Sequence, residues 1–481
     1  MTPTMTAMSV LPSAPGAMTP RSLEGHASAY LVGIGGTGMC GAAELLCARG
    51  LEVAGSDRAP SPRTDRLARL GVRIDAGEGT FPIPPGTTLV VASAAVPATH
   101  PQLVEARRRG LAVWKYAELL GALMEGRIGI CVAGCHGKTT TSSLVATTLW
   151  RAGRDPSFVI GGEVKDLKTS ARAGAGACFV AEACEYDRSF HRLRPTIAVV
   201  TNVDVDHLDY YRDLEEIRES FREFARLLPA KGLLLVHEDH AATFLRDPSL
   251  LARLETFGTS DGADWQAVDA RFDRAAQGMR FTLVRRGSPL GELSIPLSGL
   301  HNVHNATGAA AALLCAGCSF EEVARGLAAF GGVGRRLEPI ADVGGVAVLD
   351  DYGHHPTEIA AVIRAVRTRF EGRRLLLVFQ PHQASRTHAL LAEFGEVLAE
   401  ADEVWLPPIY WARDSEEDRR RVSSEDVALR VCLRGGRAVT FADLDAVVRH
   451  AAASVRPGDV VVTMGAGNVD EVARGLASRL R

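Results

Sequence analysis

"GCHGKTTT", residues 134–141, closes the apolar run "RIGICVA" and leads into "SSLVATTLW", whose apolar residues recur at helical spacing. A glycine-rich turn between a buried strand and a helix suits an anion. Glycines let backbone N–H groups approach it, and the helix presents the positive end of its dipole. Lys138 can reach outer phosphates, and the Thr139 hydroxyl can join a magnesium shell. Gly134, Cys135, His136, Gly137 and Thr140 form the rest of the candidate cradle. The longer phosphate-loop pattern asks for glycine where this chain has Val132. Glycine turns with one lysine also occur without a ligand, so the octapeptide alone leaves both readings open.

The same alternation of strand and helix extends outward. "AYLVGIGG" (29–36), "TTLVVAS" (87–93), "ACFVAEA" (177–183), "TIAVVTN" (196–202), "GLLLVHE" (232–238), "VAVLDDY" (346–352), "RLLLVFQ" (374–380) and "DVVVTMG" (459–465) are apolar runs ending at polar or glycine residues. Continuous apolar strands separated by helices predict an α/β protein whose parallel sheets are covered on both faces. Ligands then gather at the carboxyl ends of the strands. Alternating residues over 255–300 predict antiparallel hairpins, and "AAFGGVGRRLE" (328–338) reads as a glycine-rich joint. The expected organisation is a Rossmann-like domain over 29–125, a central phosphate-loop domain over 126–330 and a Rossmann-like domain over 331–481. Residues 1–28, rich in Met, Pro, Ser and Thr, are expected to be a disordered extension without a signal peptide.

The bulk numbers exclude some classes. Of the 481 residues, 46% are apolar and 23% charged, as in an ordinary globular protein, and the net charge of −3 gives no basic field for nucleic acid or acidic membranes. No apolar run is long enough to span a bilayer. Nine cysteines, an odd number in so long a chain, fit reduced thiols and a cytoplasmic location.

Two glycine loops carry chemistry. "GIGGTGMCG" (33–41) supplies Gly35, Gly36, Thr37, Gly38, Met39 and Gly41, and "VAGSD" places Ser56 and Asp57 about where a dinucleotide fold puts its ribose-binding acid. A nicotinamide dehydrogenase is the default reading of that loop alone. The second loop at 134–141 argues instead for two separate phosphorylated ligands. Acids and histidines recur at strand ends: Glu182, then Asp204, Asp206 and His207 in "TNVDVDHLDYY". "HNVHNATG" puts His301 and Asn305 on one helical face, suited to a purine edge or simply to tight packing. Arg335 and Arg336 in the joint can clamp a phosphoryl group or lie on the surface. "LDDYGHHPTE" (349–358) and "FQPHQASRT" (379–387) suggest a small polar substrate pocket, with Arg386 available for a carboxylate. Cys315 and Cys318 have redox-motif spacing without its context and read as packing residues.

In this order the motifs resemble the Mur ligase family over nearly the whole chain after residue 28. The family's phosphate loop is the shorter G-x-x-G-K-T form, which accommodates Val132, and "DDYGHHPTE" followed by "FQPH" points to its alanine-adding members. The resemblance implies ATP and Mg2+ in the central domain and UDP-N-acetylmuramate in the first. The muramoyl carboxylate would attack the γ-phosphate, and L-alanine would displace phosphate from the resulting acyl phosphate. It assigns Lys138, His207, Arg336 and His354 to catalysis, and Thr139, Glu182 and His207 to metal. Residues 134–140, His301, Asn305, Arg335, Arg336, Asp351 and Tyr352 would meet ATP. The Gly35–Gly41 loop, Ser56, Asp57 and Ser93 would meet the UDP-sugar, and Tyr352, His354 and Arg386 the amino acid. Gln383, where some relatives carry arginine, would weaken the carboxylate grip, and Cys184 would leave one fewer acid near the metals. The competing readings are a ligase that recycles a muramyl tripeptide and a nicotinamide-dependent oxidoreductase. A monomer or homodimer with no nucleic-acid or membrane partner is expected.

Overall fold

The computed structural model describes residues 21–77, 79–207, 210–412 and 414–481. Residues 1–20 of the expected disordered extension therefore lie outside the described residues, as does Asp209 of the "TNVDVDHLDYY" segment. Residues 21–28 are packed rather than disordered. Leu23 lies against the first hydrophobic core, His26 stands edge-on to Trp114 with ring centroids 5.3 Å apart, and Ser28 already begins a strand.

The first sheet contains β1 (Ser28–Val32), β2 (Glu52–Asp57), β3 (Arg73–Ala76), β4 (Leu89–Ala92) and β5 (Ala112–Lys115). All are parallel, in the order β3-β2-β1-β4-β5. The order reverses between β1 and β4, which opens a crevice at their carboxyl ends. There the Gly33–Gly36 turn enters the helix Thr37–Ala48.

The central sheet has ten strands: β6 (Ile128–Ala133), β7 (Ser157–Val164), β8 (Thr169–Arg172), β9 (Cys178–Glu182), β10 (Ile197–Val200), β11 (Leu233–His237), β12 (Arg253–Gly258), β13 (Trp265–Asp273), β14 (Gly278–Arg285) and β15 (Ser288–Ile295). Their order is β15-β14-β13-β12-β11-β10-β6-β9-β7-β8. Parallel pairing runs from β7 to β13, and antiparallel hairpins finish both edges. Helices Lys138–Arg151 and Leu300–Cys315 line one face with alanine, serine and threonine, small enough for close approach to the sheet and to each other. Cys315 and Cys318, each 6% exposed, sit in that core as packing residues.

The third sheet comprises β16 (Glu338–Val343), β17 (Val346–Asp351), β18 (Leu375–Phe379), β19 (Glu403–Leu406), β20 (Ala438–Thr440) and β21 (Val460–Met464). The order is β16-β17-β21-β18-β19-β20, parallel except for the edge strand β16. β17 and β18 flank β21, so the loops after them, 352–355 and 380–383, emerge on one edge. That edge faces the phosphate loop of the central sheet. Among the described residues no helix is long and apolar enough to cross a membrane.

Candidate active site

β6 ends at Ala133, and the chain turns through Gly134 (φ 137°) and Gly137 (φ 79°), conformations open to glycine. A Cβ at Gly134 would overlap Thr201 Oγ1, and one at Gly137 would lie 2.5 Å from Asn305 Oδ1. The loop is held from outside. His136 N–H donates to Asn202 Oδ1 at 2.9 Å, while Thr201 Oγ1 and Asn202 Nδ2 donate to the His136 carbonyl. Cys135 is pinned through its sulfur to Asp204. No side chain caps the Lys138–Arg151 helix, so its first N–H groups remain available to an anion.

Lys138 Nζ donates to the carbonyls of Gly134 (2.5 Å) and Cys135 (3.2 Å) and to both oxygens of Glu185 (3.0 and 2.9 Å). Burial disfavours the charge, but Glu185 outweighs it and holds the ammonium pKa above its ordinary value. Burial likewise pushes the Glu185 carboxyl up, and Lys138 and then His207 bring it below the usual range. Glu185 is 1% exposed. It supplies an acid next to the lysine, one position beyond Cys184.

Thr139 Oγ1 donates to Glu182 Oε1 at 3.2 Å, and Arg336 Nη2 reaches the same hydroxyl at 3.3 Å. Glu182 Oε2 accepts from Gly161 N–H at 2.7 Å, which aims the carboxylate at the helix end. A hydroxyl and a carboxylate at this spacing fit magnesium, which takes hard oxygen ligands and completes its shell with phosphate and water. His207 adopts φ 54°, with Nε2 3.5 Å from Glu185 Oε1 and 3.8 Å from Asp206 Oδ2. One ligand atom from each of Glu185, Asp206 and His207 falls within 4.8 Å of the others, and His207 Nδ1 is buried without a partner among the described residues.

The third domain contributes from above. Arg336 turns to the phosphate loop, whereas Arg335 turns away. Arg335 donates to Asp350 Oδ2 and to the carbonyls of Gly467 and Gly465 within its own domain, at 3.0, 2.8 and 2.7 Å. Of the two arginines expected to meet ATP, Arg335 places its fork on the edge of the third sheet in this structure. Both guanidinium groups lie over the Tyr352 ring, at 5.1 and 5.3 Å. Asp351 accepts from Leu337 N–H and Gly353 N–H, each at 2.7 Å, and burial pushes its carboxyl up to about 6. It braces the joint from the wall of the nucleotide-sized cavity described below.

His354 is lowered to about 4 by burial and is neutral near pH 7; its Nδ1 lies 3.1 Å from the Tyr352 carbonyl. Arg386, 9% exposed, donates through Nε and Nη2 to Asp206 Oδ1 at 3.2 and 2.9 Å. The guanidinium thus bridges the third domain to the central one. Burial raises the Asp206 carboxyl, but Arg386 and then His207 hold it well below its ordinary value. Beside this pair a cavity of about 240 Å³ is lined by Asp206, His207, Gln383, Ser385 and Arg386, among others. Gln383 has φ 66° and its amide donates to Ala412 O, so it faces the loop after β19.

A second tie joins the domains at His136, whose Nδ1 is 3.3 Å from Glu358 Oε1 and Nε2 3.5 Å from Asp204 Oδ2. Burial lowers the His136 pKa, yet Glu358 and then Asp204 raise it to about 9. Thr357 Oγ1 donates to Asp204 Oδ2, and His355 Nε2 donates to the Val205 carbonyl. Glu185 and Glu358 escape a local reading of the sequence. Glu185 follows a more obvious strand-end acid, and Glu358 occupies the place of an ordinary capping glutamate in "HPTE".

Between the phosphate loop and the third domain lies a cavity of about 570 Å³. Gly137, Thr140 and Arg336 line one end, and His301, His304 and Asn305 continue it along the Leu300–Cys315 helix. His301 and Asn305 meet here as their spacing predicts.

In the first domain, Gly35 N–H donates to Asp57 Oδ2 at 2.7 Å, closing the glycine turn against the end of β2. Gly36 is exposed at the helix start with no side-chain cap, next to Thr37, and Ser93 follows β4 on the other side of the crevice. Other members of the expected set lie in packed surroundings. Gly38 lies under Tyr116, Met39 is 3% exposed in the core, and Gly41 abuts Ala171 of β8. Ser56 Oγ is used by buried Gln102 at 2.9 Å.

Mur ligase family models match residues 28–127 (Mur ligase family, catalytic domain), 132–313 (Mur ligase middle domain) and 335–467 (Mur ligase, glutamate ligase domain). The chain is 42% identical over 453 residues to a UDP-N-acetylmuramate–L-alanine ligase of Geotalea uraniireducens, covering 94% of this chain and 98% of that protein. It is 45% identical over 450 residues to one of Kineococcus radiotolerans, covering 92% and 94%. A UDP-N-acetylmuramate-alanine ligase of Thermotoga maritima superposes with TM-score 0.77 at 26% identity, covering 94% of this chain and 99% of that one. A murein peptide ligase of Psychrobacter arcticus gives 0.68, also at 26% identity, covering 94% and 98%.

Proposed function

The chain belongs to the Mur ligase family, and we propose that it joins L-alanine to the carboxylate of UDP-N-acetylmuramate at the expense of ATP, a step of peptidoglycan precursor synthesis. The observation that carries this reading is the meeting of two domains at Thr139. Glu182 and Arg336 of the third domain converge there, next in the chain to the phosphate-loop lysine, and the Arg386 cavity opens alongside. ATP lies with its phosphates on residues 134–140 and its base toward His301 and Asn305. In the nucleotide complex Lys138 exchanges its loop carbonyls for phosphate oxygens, and Arg336 approaches from the joint. Thr139 and Glu182 would hold Mg2+, which neutralises phosphate charge; Asp206, Glu185 and His207 form a second candidate group. UDP-N-acetylmuramate lies on the crevice rimmed by Gly35, Gly36, Thr37, Asp57 and Ser93.

The muramoyl carboxylate attacks the γ-phosphorus and ADP leaves. The neutral alanine amine then adds to the acyl carbon, the C–O bond to phosphate breaks, and the departing phosphate takes up the amine proton as the amide forms. Fixed positive groups at the phosphoryl oxygens stabilise the charge that develops, the largest electrostatic contribution such a site can make. His354 and Arg386 hold the amino acid, and the 240 Å³ cavity beside Arg386 has room for alanine. We place the enzyme in the cytoplasm as a monomer or homodimer, without nucleic-acid or membrane partners. Phosphate release with UDP-N-acetylmuramate and ATP should be driven by L-alanine and not by the tripeptide. Tripeptide-dependent release would select the recycling reaction instead.

A further inference from the structure

The far wall of the nucleotide cavity carries histidines that the reaction above does not use. His237 ends β11, is 6% exposed, and stands with its ring centroid 4.5 Å from that of His304 on the Leu300–Cys315 helix. His237 Nε2 and His304 Nδ1 are 3.1 Å apart, a hydrogen bond whose direction the surroundings settle. His237 Nδ1 accepts from Asp239 N–H at 3.4 Å, and the Asp239 carboxylate, at 3.6 Å, is beyond hydrogen-bond reach. The His237 proton must then sit on Nε2 and be donated to His304 Nδ1. A neutral imidazole carries one N–H, so His304 holds its proton on Nε2. Burial lowers the pKa of both rings, His304 to about 4, so neither is doubly protonated near neutrality.

Among the described residues His304 Nε2 is buried and has no partner, while the residue lines the cavity together with His301 and Asn305. A buried donor without a partner costs free energy that a ligand acceptor recovers. We propose that His304 Nε2–H reads an unprotonated ring nitrogen of the purine of the bound nucleotide, with His237 as the positioning residue that fixes its tautomer. The inference rests on the assignment of this cavity to ATP. A site built to donate to a ring nitrogen rejects an analogue that carries C–H there, because the buried donor is then left unpaired.

Titration calorimetry with ATP and its 1-deaza, 3-deaza and 7-deaza analogues tests this without requiring turnover, so failure of the alanine assignment would not be confused with failure here. The wild-type protein should bind one of the three analogues about ten-fold or more weakly than ATP, the loss of a single well-placed hydrogen bond. His304→Leu should bind ATP and that analogue equally, both near the weaker value. His304→Gln, which can present an amide N–H, should recover part of the preference. His237→Leu should lose the preference while His304 is retained. Equal binding of all four nucleotides by the wild-type protein would overturn the proposal, even if the variants fail to fold. An undiminished preference in His304→Leu would overturn it as well.

Discussion

Lys138 is held as a cation by Glu185 and two loop carbonyls, poised beside the open end of its helix. Lys138→Ala should reduce ligation by at least ~10²–10³-fold, the usual cost of removing charge stabilisation from a transferring group. UDP-N-acetylmuramate binding, followed by calorimetry, should be nearly unchanged, because the other glycine loop lies in a different sheet. Loss of both nucleotides together would contradict the assignment of one ligand to each loop. Truncating the lysine also strands a buried carboxylate, so Lys138→Ala combined with Glu185→Gln should be more stable than the single variant, yet equally inactive. His136 gives the pH counterpart. Burial pushes its pKa down, but Glu358 and Asp204 raise it to about 9. A pKa raised in the folded state contributes stability that is complete below the ordinary value of ~6.5 and is lost on going up through the folded one. The melting temperature should therefore fall as pH rises through about 9, and Glu358→Gln should flatten that fall. Parallel profiles for the two proteins would show that the pair does not couple the domains.

The phosphate loop works as an element because its glycines have no room for side chains. Gly137→Ala forces a Cβ to 2.5 Å from Asn305 Oδ1 at φ 79°. It should weaken ATP binding about ten-fold or more and lower stability by ~1–3 kcal/mol; unaltered ATP affinity would mean that the loop does not carry the phosphates. The proposed metal ligand is Glu182 at the end of β9, and Glu182→Gln should raise the magnesium concentration needed for activity, with only partial recovery at high magnesium. An unchanged magnesium requirement would remove Glu182 from the site. These elements are legible in the sequence because their signals are local. Strands such as "CFVAE" and "LLLVF" are apolar throughout since both faces are covered. Edge strands are not legible in the same way: β8, "TSAR", and β3, "RIDA", are half-exposed and carry no apolar run. Side-chain partners were the least accessible. Lys138 and Glu185 are 47 residues apart, and Arg386 and Asp206 180 apart, so no spacing rule links them. Arg335 and Arg336 are adjacent and share a composition, yet the positive φ of 57° at Arg335 sends one to the third sheet and the other to Thr139.

Across the whole molecule the third domain is tied to the central one by Arg386–Asp206, His136–Glu358 and Thr357–Asp204. Arg386 thus holds the domains together, and under the proposed reading it also meets the alanine carboxylate. Arg386→Lys keeps the charge but loses the fork, and should raise KM for alanine about ten-fold or more with KM for ATP nearly unchanged. If both KM values rise together, the arginine acts through domain docking rather than through the amino acid. The central claim is that all three domains meet to make one acyl phosphate from the sugar carboxylate. UDP-N-acetylmuramate labelled with 18O in both carboxylate oxygens tests it most directly, with ATP and L-alanine, by mass spectrometry of the released phosphate. The account predicts one 18O in each phosphate and one retained in the amide product. Unlabelled phosphate, with both heavy oxygens still in the sugar nucleotide, would contradict it.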